Sequence, residues 1–567
     1  MEKKRKINGG DVLVKCLLEE DVRYMFGITG GQLLTIFDAV YRWGKEKGIE
    51  TVMFRHEQAA AHAADAWARV TNKPGICFGT VGPGALHLVP GVGAAWSDNI
   101  PVIVIVPQVT SDIADKFSLQ GGLDQIQLFK PITKYQKSVR KITEIPDAVR
   151  KCFREATGGR PRPVLLEIYE DAFLEQIEET EISIYEKNRY RAIEKPSISD
   201  ELIQESLKRL INAEKPLIIS GGGVARAEAW KELQEFAEYL QIPVATTISG
   251  IGTISNKSNC HLGATVGAIQ SAANKADVIL SLGCKFSYVM GYGEEPNWKN
   301  SQQLIQVDID PAMIGRTKPV SLGIVGDCKS FLNKMLKEVK KIEKVESRRW
   351  LEKLKKQSQQ LFSFVQASIS KESTFITPER MVKEVLEFID EDAILILDGG
   401  NITVSVFEQI NLYKQRHPLS TLQSTGMGHL GTSIPYGIGA RLAKPDKQVV
   451  SISGDGSFMI NIQDLETAVR LHLNNLIYVV ANNSAWGMIK TVQEHVYNKR
   501  YLDVDFPNFN FANCAESFGC YGETIHDARE IKAALERARN SGRVAVIDIK
   551  IKYDTPLSTK ITYNLNF

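Results

Sequence analysis

The chain has 567 residues, 43% hydrophobic and 24% charged, with 69 Lys+Arg against 67 Asp+Glu for a formal charge of +2. This is the composition of a protein able to bury large cores, and the near-neutral balance argues against a nucleic-acid-binding surface. No apolar run approaches the ~18 residues of a membrane span, and ~150 residues per domain suggests two to four domains.

The eight cysteines, Cys16, Cys77, Cys152, Cys260, Cys284, Cys328, Cys514 and Cys520, are scattered with no CxxC spacing. They read as buried free thiols. With no charged-then-apolar secretory pattern after Met1, a cytoplasmic protein is the expectation.

In the first block the apolar runs ETVMFRHE, PGICFGTVG, PVIVIVPQ and PVLLEIY alternate with helix-like segments. Near-continuous Val/Ile/Leu runs between helical patterns indicate parallel strands covered on both faces. The second block repeats the theme with KPLIISGGG, IPVATTIS, ADVILSLG and QLIQVDIDP. A charge-dense stretch from Lys340, KKIEKVESRRWLEKLKKQSQQ, reads as an exposed connecting helix. The third block carries DAILILDGG, QVVSISGDG, NLIYVVANN and RVAVIDIKI. The expectation is an α/β protein of three doubly wound parallel-sheet domains, at 1–185, 195–340 and 376–555, with a helical connector at 341–375 and a tail at 556–567.

The third block holds the most specific pattern. QVVSIS should be a buried strand ending at Gly454, and ligands in open α/β sheets bind beyond the carboxyl ends of strands. Asp455 then projects toward a ligand, between Gly454 and Gly456. Asn482-Asn483 end the next strand, and the 28 positions from Asp455 to Asn483 suit one crossover helix. One carboxylate and one amide oxygen form an incomplete set for a hard divalent cation, which usually takes substrate phosphates and water as further ligands. Ser457 opens a helix whose N–H groups suit that anion.

GDG, a crossover and NN in this register resemble the thiamin-diphosphate-binding motif of the acetolactate synthase-like superfamily. The resemblance implies pyrimidine-binding, middle and diphosphate-binding domains, with thiamin diphosphate and Mg2+ as cofactors. It implies that Asp455, the Asn483 side chain and the Ala485 carbonyl ligate Mg2+, with Trp486, Gly487 and Met488 beside the cofactor. In FRHEQAAAHAADAWARV it makes Glu57 the glutamate that hydrogen-bonds the aminopyrimidine and starts proton removal at the thiazolium carbon. Gly82 of GTVGPGALH lines the same cleft. Gly400 and Asn401 of DGGNITVS meet the diphosphate, the Gly428 carbonyl holds the aminopyrimidine, and Leu430 wedges the cofactor into its bent shape. Relatives build this site across a subunit boundary, so a homodimer is the minimum and a homotetramer is expected, with no nucleic-acid or membrane partner.

Three groups within the superfamily compete for the substrate. GDGSFMINIQDLETAVR resembles acetolactate synthase, although Phe286–Val289 lacks the arginine of its relatives' middle domain and Val492 stands where a tryptophan is expected. LQGGLDQIQLFKPITKY resembles benzaldehyde lyase and related acyloin lyases, which makes Gln120 the amide that polarises the substrate and Gln32 a hydrogen-bond donor. The middle-domain stretch GYGEEPNWKNSQQLIQVDIDP resembles the 2-hydroxyacyl-CoA lyase and oxalyl-CoA decarboxylase group, and relatives hold FAD, ADP, CoA or nothing in that domain. The function expected is a thiamin-dependent lyase or carboligase acting on acyloins or 2-oxo compounds, with CoA-thioester cleavage and acetolactate synthase-type condensation as alternatives.

Overall fold

The computed structural model describes residues 5–192, 194–263, 272–369 and 375–556. The expected tail at 556–567 falls, past Pro556, outside the described residues. Contacts divide the chain into two units. One comprises residues 1–193, 424–446 and 458–473; the other comprises 194–423, 447–457 and 474–567.

The first unit holds a six-stranded parallel sheet that runs Glu50–Met53, Tyr24–Gly27, Gly75–Phe78, Val102–Gln108, Val164–Tyr169 and Tyr135–Val139. The long inner runs Val102–Gln108 and Val164–Tyr169 are buried along their whole length, as strands with both faces covered must be. A small antiparallel pair, Lys6–Asn8 with Gln176–Glu178, lies outside this sheet.

The second unit carries two more parallel six-stranded sheets. One runs Thr421–Leu422, Ile394–Asp398, Val449–Gly454, Leu476–Asn482, Ala545–Lys550 and Tyr521–Ile525, the same strand order as in the first unit. The other runs His261–Gly263, Val244–Thr246, Pro216–Ser220, Val278–Leu282, Gln303–Asp308 and Leu322–Val325. This is the 3-2-1-4-5-6 order of dinucleotide folds. The three doubly wound α/β sheets expected from the apolar runs are present.

The connector is a helix at Arg349–Ile369 that starts several residues after Lys340, and it buries Trp350, Leu351 and Leu354. It is therefore packed along one face rather than wholly solvated. Seven of the eight cysteines are buried and Cys514 is half-buried, all as free thiols. Among the described residues no helix is long and apolar enough to cross a membrane.

In the first unit, the alanine-rich helix Glu57–Thr71 packs against the helices Pro83–Asp98 and Ser433–Ala443. Ala59, Ala60, Ala61, Ala63, Ala64, Ala66 and Ala68 are all fully buried. Small side chains let its neighbours approach closely.

Candidate active site

In open parallel sheets the crevice for a ligand opens where the strand order reverses. In the sheet that carries Val449–Gly454 that point lies between Ile394–Asp398 and Val449–Gly454. Gly399-Gly400 follow the first strand and Asp455 the second, so the two motifs singled out in the sequence meet at one place.

The Asp455 carboxyl is 4% exposed; its Oδ1 accepts from the Gly456 N–H at 2.8 Å, and Oδ2 has no hydrogen-bond partner. Burial pushes the acid up to about 6, and backbone N–H groups of Gly456, Ser484, Ala485 and Asn483 pull it back down. The carboxyl therefore lies against the turn that carries the other expected ligands. Asn483 Oδ1 accepts from Ala485 N at 3.1 Å. Ala485 bridges Asp505, with the ladder bonds made by its neighbours, Trp486 N to Val504 O and Phe506 N to Ser484 O. In such a pair the N–H and C=O of Ala485 itself point away from the partner strand. A buried carboxylate oxygen without a donor is costly in a core but is a fitting ligand for a hard cation, and every donor in this set is oxygen.

Glycines open space beside the carboxyl. A Cβ on Gly456 would stand 2.7 Å from the Trp486 ring, and one on Gly400 would stand 2.9 Å from Met488 Cβ. Gly487 is ringed by Asn483, Asn401 and Tyr553. Asn401 donates to Thr491 Oγ1 at 3.2 Å, while its own Oδ1 is buried without a partner. Ser457 is buried in the short helix Asp455–Ile460, which opens the crossover. That crossover is broken into Asp455–Ile460, Ile462–Asp464 and Leu465–Arg470 rather than one helix.

Thr491 and Tyr553 were not singled out in the sequence. The Thr491 hydroxyl lies 3.1 Å from Tyr553 Oη and 3.3 Å from Thr555 Oγ1, and Tyr553 Oη reaches Glu494 Oε2 at 3.1 Å. Burial, together with Glu494, pushes the Tyr553 phenol up to about 12 against the opposing hydrogen bonds of Thr491 and Thr555. Residues 553–555 sit in a stretch without periodicity, so only the fold brings them to the 487–495 helix.

In the first unit, Glu57 begins its helix and is buried, and its Oε2 lies 3.0 Å from His87 Nδ1. His56 caps the helix, its Nδ1 accepting from Gln58 N at 3.2 Å, and its ring stacks on that of His87 with centroids 4.5 Å apart. The His87 side chain is 48% exposed.

Gly82 adopts a left-handed conformation, with φ of 72°, and its N–H donates to Gln125 Oε1 at 3.1 Å. The expected Gln120 is exposed, and its backbone carbonyl rather than its amide lies against Gly82. Five residues on, Gln125 is fully buried and also donates to Pro107 O at 2.9 Å and Glu167 Oε1 at 3.0 Å. Gln32 is half-buried, its Oε1 accepting from the Thr80 hydroxyl at 3.0 Å.

The segment bearing Gly428 and Leu430 also belongs to this unit. Asp98 accepts from Thr425 N at 2.9 Å and Gly426 N at 2.7 Å, and it pairs with Arg69 at 3.0 Å. Arg69 is further fixed by two bonds to Asp65, which Tyr436 also meets. These groups hold Gly428, which is exposed with φ of 62° and nothing near its Cβ position, and the half-buried Leu430. Behind them, His62 is fully buried and packs edge-on against His429, with neither ring nitrogen partnered.

In the remaining sheet, Asp310 caps the turn Pro311–Met313 through Ala312 N, and Asp308 accepts from Asp310 N.

Three family models match the chain: Thiamine pyrophosphate enzyme, N-terminal TPP binding domain, over residues 7–128; the central domain over 203–335; and the C-terminal TPP binding domain over 398–549. Among curated proteins, it is 33% identical to a probable acetolactate synthase large subunit of Methanococcus aeolicus, over 97% of this chain and 93% of that protein. It is likewise 33% identical to a probable acetolactate synthase large subunit of Methanocaldococcus jannaschii, over 96% and 92%. It is 30% identical to an acetolactate synthase large subunit of Cyanidium caldarium, over 95% and 92%.

Proposed function

The chain belongs to the thiamine pyrophosphate enzymes of the acetolactate synthase-like superfamily, and from that premise we propose that it is a Mg2+-dependent carboligase that condenses 2-oxo acids with loss of CO2. Thiamin-dependent lyase and carboligase chemistry comes with the family. The choice of 2-oxo acids rests on relatives named as acetolactate synthases, which align along nearly the whole chain.

The observation that carries the cofactor reading is the buried, unpartnered Asp455 Oδ2 at the switch point, against the 483–485 turn. In this reading Asp455, Asn483 and the Ala485 carbonyl hold Mg2+, and Gly400, Asn401 and Gly487 leave room for a diphosphate. Bound thiamin diphosphate supplies a nucleophilic carbon that adds to a carbonyl and takes up the electron pair of the broken C–C bond. Glu57, buried and at a helix start, holds or releases a proton at the aminopyrimidine. Gly82 and Gln125 shape the wall near it, and Leu430 fills the space behind the cofactor. A second subunit completes the site, so a homodimer is the smallest active form.

A second reading, cleavage of acyloins, is favoured by the Leu119–Tyr135 segment and by the exposed Gln120 beside Gly82. One panel decides between the two, with pyruvate, an acyloin and a 2-hydroxyacyl-CoA each supplied with thiamin diphosphate and Mg2+. CO2 and a condensed product from pyruvate support the proposal, whereas turnover of the acyloin alone would replace it with the second reading. Glu57→Gln should lower turnover roughly 10²–10⁴-fold, the usual scale of acid–base catalysis.

A further inference from the structure

His56, Glu57 and His87 bring two imidazoles and one carboxylate together at the start of the Glu57–Thr71 helix. One ligand-type atom from each lies within 4.8 Å of the others. We propose that these three side chains form a second metal site, for a borderline cation such as Zn2+, distinct from the oxygen-only set at Asp455.

Donor chemistry separates the two sites. Mg2+ is held by carboxylate, carbonyl and water oxygens, whereas imidazole nitrogens suit Zn2+ and its neighbours. Asp455, Asn483 and Ala485 offer oxygens only. The His56–Glu57–His87 group offers two nitrogens and one oxygen, the three-ligand set of an open zinc site with water in the fourth place.

The local structure is partly prepared for a metal. The Gln58 N–H donates to His56 Nδ1, so in the neutral ring this nitrogen carries the lone pair, and it would exchange the helix cap for the metal. Glu57 is buried with its Oε2 already 3.0 Å from His87 Nδ1. Tetrahedral zinc with bonds of ~2.0 Å needs ligand atoms roughly 3.3 Å apart and lies in the plane of each ligating imidazole, so the cluster must close and the His87 ring must turn out of its stack on His56. His87, with its side chain 48% exposed, has the freedom to do so.

Zinc bound here withdraws Glu57 from its proton-handling role, so Zn2+ and thiamin diphosphate compete for the free chain. This consequence, unlike the site itself, rests on the reading of Glu57 given above.

The test titrates Zn2+ into the full chain, cleared of other metals, with saturating Mg2+ and no thiamin diphosphate, and is followed by calorimetry. Co2+ replaces Zn2+ in a parallel absorption experiment. The expected result is one Zn2+ per chain, weakened at least tenfold in each of His87→Asn and His56→Asn and unchanged in Asp455→Asn. Intense visible Co2+ bands should report four-coordination. An asparagine at position 56 can still cap the helix, and thermal melts establish that both variants are folded. Zinc binding that ignores both histidine substitutions, or that vanishes with Mg2+ or in Asp455→Asn, overturns the site. Binding that follows the histidines yet ignores added thiamin diphosphate keeps the metal site and refutes the cofactor role of Glu57.

Discussion

The backbone N–H of Arg55 donates to Asp464 Oδ1 at 2.8 Å, joining positions 409 apart in sequence. Asp464 also accepts from the Thr467 hydroxyl at 2.9 Å, and Arg55 pairs with Glu466 at 2.7 Å. Together they clamp the strand end that leads into His56 and Glu57, so the segment 462–467 sets where the Glu57 helix begins.

Asp464 is fully buried, and burial raises its acid from 3.8 to about 6 despite the hydrogen bonds that oppose the shift. Between those values the folded chain keeps a proton that the unfolded chain has released. Stability from this group is therefore present below about pH 4 and is lost as pH rises through about 6. The full cost of ionisation is on the order of 3 kcal/mol. Asp464→Asn cannot ionise, so its thermal midpoint should gain on that of the parent as pH rises from about 4 to about 7. A gap between the two that stays constant with pH would mean that Asp464 does not titrate in this range.

Asp455→Ala should remove the anchor for the metal while leaving the strand Val449–Gly454 intact. The Trp486 ring lies over Gly456, so its fluorescence reports on the site. Quenching by thiamin diphosphate with Mg2+ should weaken roughly hundredfold or more, the equivalent of about 3 kcal/mol. In the parent, EDTA should reverse the quenching. An unchanged titration would place the metal elsewhere.

The sequence displayed the three sheets because inner parallel strands are continuous apolar runs. Strands at the sheet edges, Tyr135–Val139, His261–Gly263, Leu322–Val325, Thr421–Leu422 and Tyr521–Ile525, did not stand out. Each is short or only partly buried, so its pattern resembles that of a loop. The Asp455–Asn483 pairing was legible because both residues end strands that are adjacent in the sheet. The partners of Glu57 and of the 487–495 helix were not, since His87 and Tyr553 reach them only through tertiary contacts.

Gln120 and Gln125 make a second contrast of this kind. Gln125→Ala would strip partners from three buried groups: the Gly82 N–H, the Pro107 carbonyl and Glu167 Oε1. Buried polar groups left unsatisfied cost about 1–3 kcal/mol each, so a loss of several kcal/mol is expected. Gln120→Ala, at an exposed position, should change stability by less than about 0.5 kcal/mol. Thermal melts compare the two, and turnover of an acyloin by Gln120→Ala tests whether its amide serves the second reading of function.

Gly456 and Trp486 form a coupled pair. An added Cβ at 456 would lie 2.7–2.9 Å from three atoms of the indole, whose ring also packs edge-on against Phe506 at 5.2 Å between centroids. Held on that side, the ring has little room to retreat, and overpacking of this kind costs about 1–3 kcal/mol. Gly456→Ala should therefore lower the melting temperature and weaken Mg2+-dependent binding of thiamin diphosphate. Trp486→Leu should be milder alone, because it removes contact without forcing a clash. In Gly456→Ala/Trp486→Leu the methyl group enters space that the ring has vacated, so the double variant should melt higher than the sum of the single losses allows. Neighbours that share a contact commonly show such coupling, about 0.5–3 kcal/mol. Strict additivity would mean that the glycine serves the backbone at the end of the strand rather than the approach of the indole.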